Sequence, residues 1–307
     1  MTRALSLLAC ALYASACSPE IEVGGVERCL LGAHADPESG ETREHALEST
    51  DALAGRRLDL DRQYHFWEDD LIGDYERWSA GQGRVLALSF TGRHRDGSPP
   101  VRWAEVADPA NEPVQAHLAE IAQQLAAFDA RVFLTFQQQP EDDVPEYGTT
   151  EDFVAAWRRI ADVVRGAGAS RVELVWTIGS GVFAGEADAW YPGDAYVDWI
   201  GATGFNWYTG AAAPWRSFAM IFVGVEQWSA PHGKPLQLLT GSVESGSVDP
   251  LLSKARWLMD IVPTLHEWTN VQALLLLDDG DFRLDTSPET ADAFRALASD
   301  PYFDVRR

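Results

Sequence analysis

The chain has 307 residues, enough for one large barrel or two ordinary domains, and its formal charge is −23. A field of that sign argues against nucleic acid and anionic membrane surfaces as partners. Twelve Trp is a high count for a side chain whose N–H needs a partner when buried; sugar clefts use such rings as stacking platforms, and a Trp-rich core is the alternative.

Met1-Thr2-Arg3 is a short basic start, Ala4 to Ala14 is a short apolar run, and Ala14-Ser15-Ala16-Cys17 closes it. The run is too short to span a membrane and reads as a signal peptide over residues 1–16. Small residues directly before Cys17 resemble a bacterial lipobox, with Ala14 where Leu is usual. Cys17 is then the expected lipidation site at the head of a polar tether, residues 17–28. The expected location is secreted or outer-surface, with any membrane attachment only through that lipid. Cys10 leaves with the leader and Cys29 stands alone, so no disulfide framework is expected. Seven scattered His show no paired ligand spacing, so neither metal nor cofactor is expected.

From residue 29 the chain alternates short apolar runs with helical patterns. Cys29 to His34 predicts a first strand, Tyr64 to Trp67 a weaker second, and Arg84 to Phe90 a clear third. Val114, Leu118, Ile121 and Leu125 sit at helical spacing. Arg131 to Phe136 is the fourth strand, and it runs into Gln137-Gln138-Gln139-Pro140-Glu141-Asp142-Asp143. An apolar run that turns abruptly polar marks the carboxyl end of a parallel strand, where α/β folds bind ligands. Thr149-Thr150-Glu151-Asp152 is a capping-box start to a helix whose buried stripe is Phe153, Trp157, Ile160 and Val164, with Gly166 as its stop. Val172 to Ile178, Val197 to Phe205, Pro235 to Thr240 and Val271 to Leu277 give strands five to eight. Helices open at Ser253 and Ser287. Eight strands alternating with helices over 29–307 predict a (β/α)8 TIM barrel. A doubly wound sheet would want a Gly-rich phosphate turn after its first strand, and Gly32-Ala33-His34 is not one.

Four stretches carry a resemblance. Trp190-Tyr191-Pro192-Gly193-Asp194-Ala195-Tyr196-Val197-Asp198-Trp199-Ile200-Gly201 looks like the "YPGD-x-YVDW-G" segment of glycoside hydrolase family 26, the β-mannanase family. Asp152-Phe153-Val154-Ala155-Ala156-Trp157-Arg158 resembles its "Y/F-V-A-A-W-R" helix. Gly233-Lys234-Pro235-Leu236 and the closing Ala298-Ser299-Asp300-Pro301-Tyr302-Phe303 also match. The resemblance implies a retaining-glycosidase barrel with an acid/base Glu after the fourth strand and a nucleophile Glu on the seventh. It also implies a polysaccharide ligand of β-mannan or β-glucan type and a monomeric chain.

The match departs where the chemistry would lie. The family's His-Glu pair reads Gln138-Gln139, so Gln139 stands at the acid/base position. The residue at the nucleophile position is Thr240. The sixth strand's "D-G-Y-N-W" reads Thr203-Gly204-Phe205-Asn206-Trp207, with Phe205 in place of the Tyr that would support the nucleophile. Retaining hydrolysis needs two carboxyl groups about 5–5.5 Å apart. A Gln amide cannot supply the proton, and loss of a general acid alone costs roughly 10²–10⁴-fold. A Thr hydroxyl without a base is a poor nucleophile. The expectation is a barrel that retains a carbohydrate cleft and is catalytically impaired or inactive. Gln138, Gln139, Trp176, Phe205, Asn206, Trp207 and Asp278 are its expected substrate-binding residues, and Trp190, Trp215 and Trp228 are further candidate stacking rings. A second reading is an active glycosidase with relocated carboxylates, drawn from Glu141, Glu244 and Asp278. A third is a structural or partner-binding lipoprotein with a vestigial pocket.

Overall fold

Short runs of β-branched, aromatic and aliphatic side chains form the inner wall of the protein, because continuous apolar character suits a strand covered on both faces. The computed structural model describes residues 29–207, 214–247 and 249–303. The expected signal peptide, Cys17 and the tether lie outside the described residues. The strands are β1 (Leu30–Ala35), β2 (Leu60–His65), β3 (Val85–Phe90), β4 (Val132–Phe136), β5 (Val172–Gly179), β6 (Trp199–Asn206), β7 (Leu236–Ser242) and β8 (Val271–Asp278). Each pairs in parallel with its neighbours in sequence, and β8 pairs with β1, closing an eight-stranded barrel. The predicted (β/α)8 fold is therefore the observed one.

The helices are α1 (Arg43–Ala54), α2 (Asp74–Gly81), α3 (Trp103–Ala107), α4 (Glu112–Ala127), α5 (Thr150–Gly166), α6 (Ala187–Trp190), α7 (Phe218–Ser229), α8 (Lys254–Met259), α9 (Ile261–Glu267) and α10 (Pro288–Ala298). The sequence signals at their ends take physical form. The Thr149 hydroxyl accepts from the Asp152 backbone N–H while the Asp152 carboxylate accepts from Thr149 N–H, the reciprocal cap that starts α5. The Ser253 and Ser287 hydroxyls cap α8 and α10 by single bonds, accepting from Arg256 N–H and Thr290 N–H. Beyond α5, Gly168 takes a left-handed φ of +77° that turns the chain toward β5.

The second strand differs from its expected place. It runs Leu60–His65 rather than 64–67, and its centre is Asp61-Arg62-Gln63, three polar residues that are nevertheless buried. No apolar periodicity announces such a strand.

Two apolar layers hold the barrel. One fills its inside, with Leu60, Ala87, Phe133, Val175, Trp199, Leu239, Ala273 and Leu275. The other lies between strands and helices, and includes Leu86, Leu134, Trp176, Leu238, Leu274 and the buried stripe of α5. Burying each large apolar side chain contributes roughly 1.5–3 kcal/mol before entropy is charged against it.

The segments that carry the family resemblance work mainly in the lower half and outer layer. The Trp157 indole N–H donates to Tyr196 O at 3.0 Å, and Arg158 Nε donates to Pro192 O at 2.8 Å. Asp198 accepts from Leu174 N–H at 2.8 Å and from Arg165 at 3.0 Å. Lys234 Nζ donates to Asp194 O at 3.0 Å. These bonds clamp α5 and the start of β7 onto the connection that enters β6. At the C-terminal end, Tyr302 O accepts from Cys29 N–H at 3.1 Å, tying that end to the start of β1.

Candidate functional site

Side chains alternate between the two faces of each strand, so membership of the inner or outer layer decides what can reach the mouth. On β7, Gln237, Leu239 and Gly241 face inward, and Leu236, Leu238, Thr240 and Ser242 face outward. The register supports this: Thr240 pairs with Gly204, and a Cβ at Gly204 would meet Ile221 of α7. Thr240 is thus fully buried toward the helices, and its hydroxyl donates to Gly204 O at 2.6 Å.

Three other expected ligand residues lie in the same outer layer. Trp176 has 0% exposure and its ring sits among Phe183, Tyr191 and Trp228. Asn206 donates to Ser242 Oγ and accepts from Arg216 N–H, both at 3.0 Å. Asp278 accepts from the Thr50 hydroxyl at 2.6 Å and from Leu284 N–H at 2.8 Å. All three bind elements together rather than lining the cleft. Of the further Trp candidates, Trp190 is buried beside Phe153 and Trp103. Trp215 and Trp228 pack on the outer core.

What does surround the mouth comes from two sides. On one, Phe205 and Trp207 stand with Phe282, which follows β8. Trp207 lies edge-on to Phe282 with ring centres 4.4 Å apart and is 51% exposed. On the other side, the end of β4 meets β2 and β3. There a cavity of about 260 Å³ is lined by Tyr64, Phe66, Ser89, Thr91, Gln137 and Gln138, among others. Its polar walls beside an exposed Tyr64 ring suit a small hydroxylated ligand.

The three glutamines do different work. β4 ends at Phe136, and Gln137 and Gln139 then take left-handed φ values of +48° and +54°. Non-glycine residues rarely adopt that conformation, and here hydrogen bonds hold it. Gln137 accepts from the Thr91 hydroxyl at 2.8 Å and from Gly92 N–H at 3.2 Å, and donates to Asp143 at 2.5 Å. It is a staple between the loops after β3 and β4. Gln138 accepts from the guanidinium of Arg62. Gln139 donates its backbone N–H to Thr177 O at 3.2 Å and its side-chain amide to Asp142 at 3.3 Å. Gln138 and Gln139 are both half-buried.

The expected substitute carboxylates separate. Glu141 lies in the short turn Pro140–Asp143 and accepts from Gly179 N–H at the end of β5. Its other oxygen is buried without a partner. Burial pushes its carboxyl up to about 7, helped by the nearby charges of Asp142 and Asp143 and opposed by its backbone hydrogen bonds. Glu244 instead accepts from Thr286 at 2.7 Å and from Thr290 at 2.8 Å, at the start of α10, where a carboxylate suits the helix dipole. Strand parity does not carry Glu141 or Glu244 inward, because β4 and β7 stop before them. In the upper half of the strands, the inward positions include His34, Tyr64, Ser89, Thr135, Thr177, Thr203, Phe205, Gly241 and Leu277. None is acidic.

Sequence reasoning missed Arg62, Tyr64, His34 and Phe282. His34 Nδ1 is bonded to Arg62 O at 2.8 Å, its ring stands edge-on to Tyr64 at 4.8 Å, and the Arg62 guanidinium lies 4.8 Å over the Tyr64 ring. The i, i+2 spacing of Arg62 and Tyr64, which puts both on one face of a strand, is the signal that could have found those two.

No family model matches the chain. It is 27% identical over 275 residues to Endoglucanase H of Acetivibrio thermocellus, a match covering 82% of this chain and 29% of that protein. It is 30% identical over 141 residues to a β-1,3-xylanase of Vibrio, covering 43% of this chain and 28% of the other. The chain therefore spans under a third of the length of these relatives. Among solved structures, a Cellulomonas fimi endo-β-1,4-mannanase double mutant superposes with a TM-score of 0.67 at 17% identity, covering 90% of this chain and 71% of that one. A GH26 β-mannanase of Bacteroides ovatus gives 0.62 at 15% identity, with 90% of each chain covered. The two structures named are β-mannanases and share this chain's fold, the two sequence relatives are glycosidases by name, and the chain is a glycosidase-like barrel similar to them.

Proposed function

We propose that this glycosidase-like barrel binds a polysaccharide or oligosaccharide of β-mannan or β-glucan type at its mouth and does not hydrolyse it. The observation that carries this reading is the absence of acidic residues from the upper inward strand positions, joined to glutamine at 138 and 139 and the outward turn of Thr240. Two converging carboxyl groups are the requirement of retaining hydrolysis, and among the described residues no pair is held in that way. The ligand would lie between the Trp207–Phe282 edge and the cavity beside Tyr64, with Gln138 and Gln139 bonding to hydroxyls. The same proposal keeps the leader, the Cys17 lipid and an extracellular or periplasmic position for a monomeric barrel.

One observation favours a second reading. The Glu141 carboxyl titrates near neutrality, as a general acid should, and a relocated partner would make the barrel a slow glycosidase. A paired assay separates them, with reducing-end release and binding measured on one panel of mannans and β-glucans. Binding without turnover is expected, weakened about tenfold by Trp207→Ala through loss of a stacking face. Turnover that disappears in Glu141→Gln would overturn the binding-only reading.

A further inference from the structure

A buried charge behind the Tyr64 and Gln138 wall of the cavity is left unbalanced. Arg62 points inward from β2 and is 1% exposed. A guanidinium has five N–H donors. Here one bond goes to the Gln138 side-chain oxygen, the cation faces the Tyr64 ring, and Nε is buried with no partner. Among the described residues Arg62 forms no ion pair. The arginines around it are different: Arg43 pairs with Glu76 at 3.0 Å, Arg95 with Asp69 at 2.7 Å and Arg93 with Asp143 at 3.7 Å. A chain with 47 acidic residues has thus placed a carboxylate beside each of those exposed cations and none beside the buried one. Burying a charge without its counter-charge is costly, and such a charge is retained where something else supplies the balance. Thr203, on the inward face of β6, also has a buried hydroxyl without a partner.

We propose that the counter-charge belongs to the ligand, and that the mouth selects a carboxylate-bearing saccharide, a uronic-acid oligosaccharide, over its neutral counterpart. This rests on the carbohydrate-binding reading and narrows it. The acid group sits against the Arg62 guanidinium, where two parallel N–H···O bonds recognise a carboxylate. Gln138 holds one edge of the guanidinium in place and, being neutral, leaves the charge free. The sugar ring lies beside Tyr64.

Calorimetric titration of the mature chain with mannuronate oligosaccharides, manno-oligosaccharides of equal length and sulfated manno-oligosaccharides tests this. The mannuronate series is expected to bind at least about tenfold tighter than the neutral one, and Arg62→Gln is expected to erase that preference. Gln138→Glu supplies a carboxylate to Arg62 from within the chain and is expected to bring the ratio of acidic to neutral affinity to one or below. It keeps the test open if Arg62→Gln does not fold. Equal affinity for acidic and neutral sugars, or a preference that survives both substitutions, overturns the inference and leaves the carbohydrate reading standing. Binding of the sulfated series alone overturns the carboxylate assignment. Failure to bind any of the three overturns both readings.

Discussion

Glu141 and Gly179 illustrate how one contact can set both a titration and a residue choice. The carboxyl oxygen of Glu141 lies 2.5 Å from where a Cβ at position 179 would stand. Gly179→Ala therefore displaces the Glu141 carboxyl from its bond to the residue 179 N–H, at an expected cost of about 1–3 kcal/mol, and Glu141→Ala in the same chain should recover most of it. A double-mutant cycle by chemical denaturation measures that coupling. The carboxyl titrates near 7 in the folded chain against about 4.3 for an unperturbed Glu. The folded state holds this proton longer than the unfolded state does. Its contribution is fully present below the unfolded value and is lost as pH rises through 7. Glu141→Gln should flatten the fall in stability between pH 4.5 and 7 and leave a variant more stable than the parent at pH 8, read from melting curves across that range.

At the scale of elements, strand parity decides what a sequence motif can mean. Six of the eight strands were legible as apolar runs, yet a run buried on both faces hides which face is which. Trp176, Asn206, Thr240 and Asp278 all stand near the ends of strands, where ligands bind, but all four fall on the helix-facing side. Only the register with neighbouring strands reveals this, since a one-residue step exchanges the two faces. β2 was misplaced for the opposite reason, because its buried residues are polar and their partners come from distant elements. Trp176→Phe should accordingly lower stability by about 1–3 kcal/mol through lost packing while saccharide affinity stays unchanged. Glu244 belongs to the same class of element-binding residue. Its bonds to Thr286 and Thr290 fix the first turn of α10, so Glu244→Gln should cost about 1 kcal/mol. A ligand titration insensitive to that change would separate its anchoring role from any role in chemistry.

In the whole molecule, the segments that carry the sequence resemblance lie mainly in the connections below and outside the barrel, and Gln138, Gln139, Phe205 and Thr240 lie at or toward the carboxyl ends of their strands. The resembling segments were legible because they are built from bonds between near neighbours in the fold, such as Asp198 with Leu174 and Arg165, and so demand particular residues. The mouth was legible only as a set of departures, because Arg62 and Tyr64 sit in a strand without an apolar pattern. A further consequence concerns charge. With a net charge of −23, the molecule repels anions at long range, and salt screens that repulsion over about 8–10 Å near physiological ionic strength. The contact with buried Arg62 is screened far less. Raising salt from about 0.02 to 0.15 M should therefore leave mannuronate affinity constant or increase it, whereas adventitious capture of a polyanion by surface arginines would weaken over the same range. The opposite slopes distinguish a ligand seated against Arg62 from one held on the outer rim, and the same titration series with Arg62→Gln should remove the salt-resistant component alone.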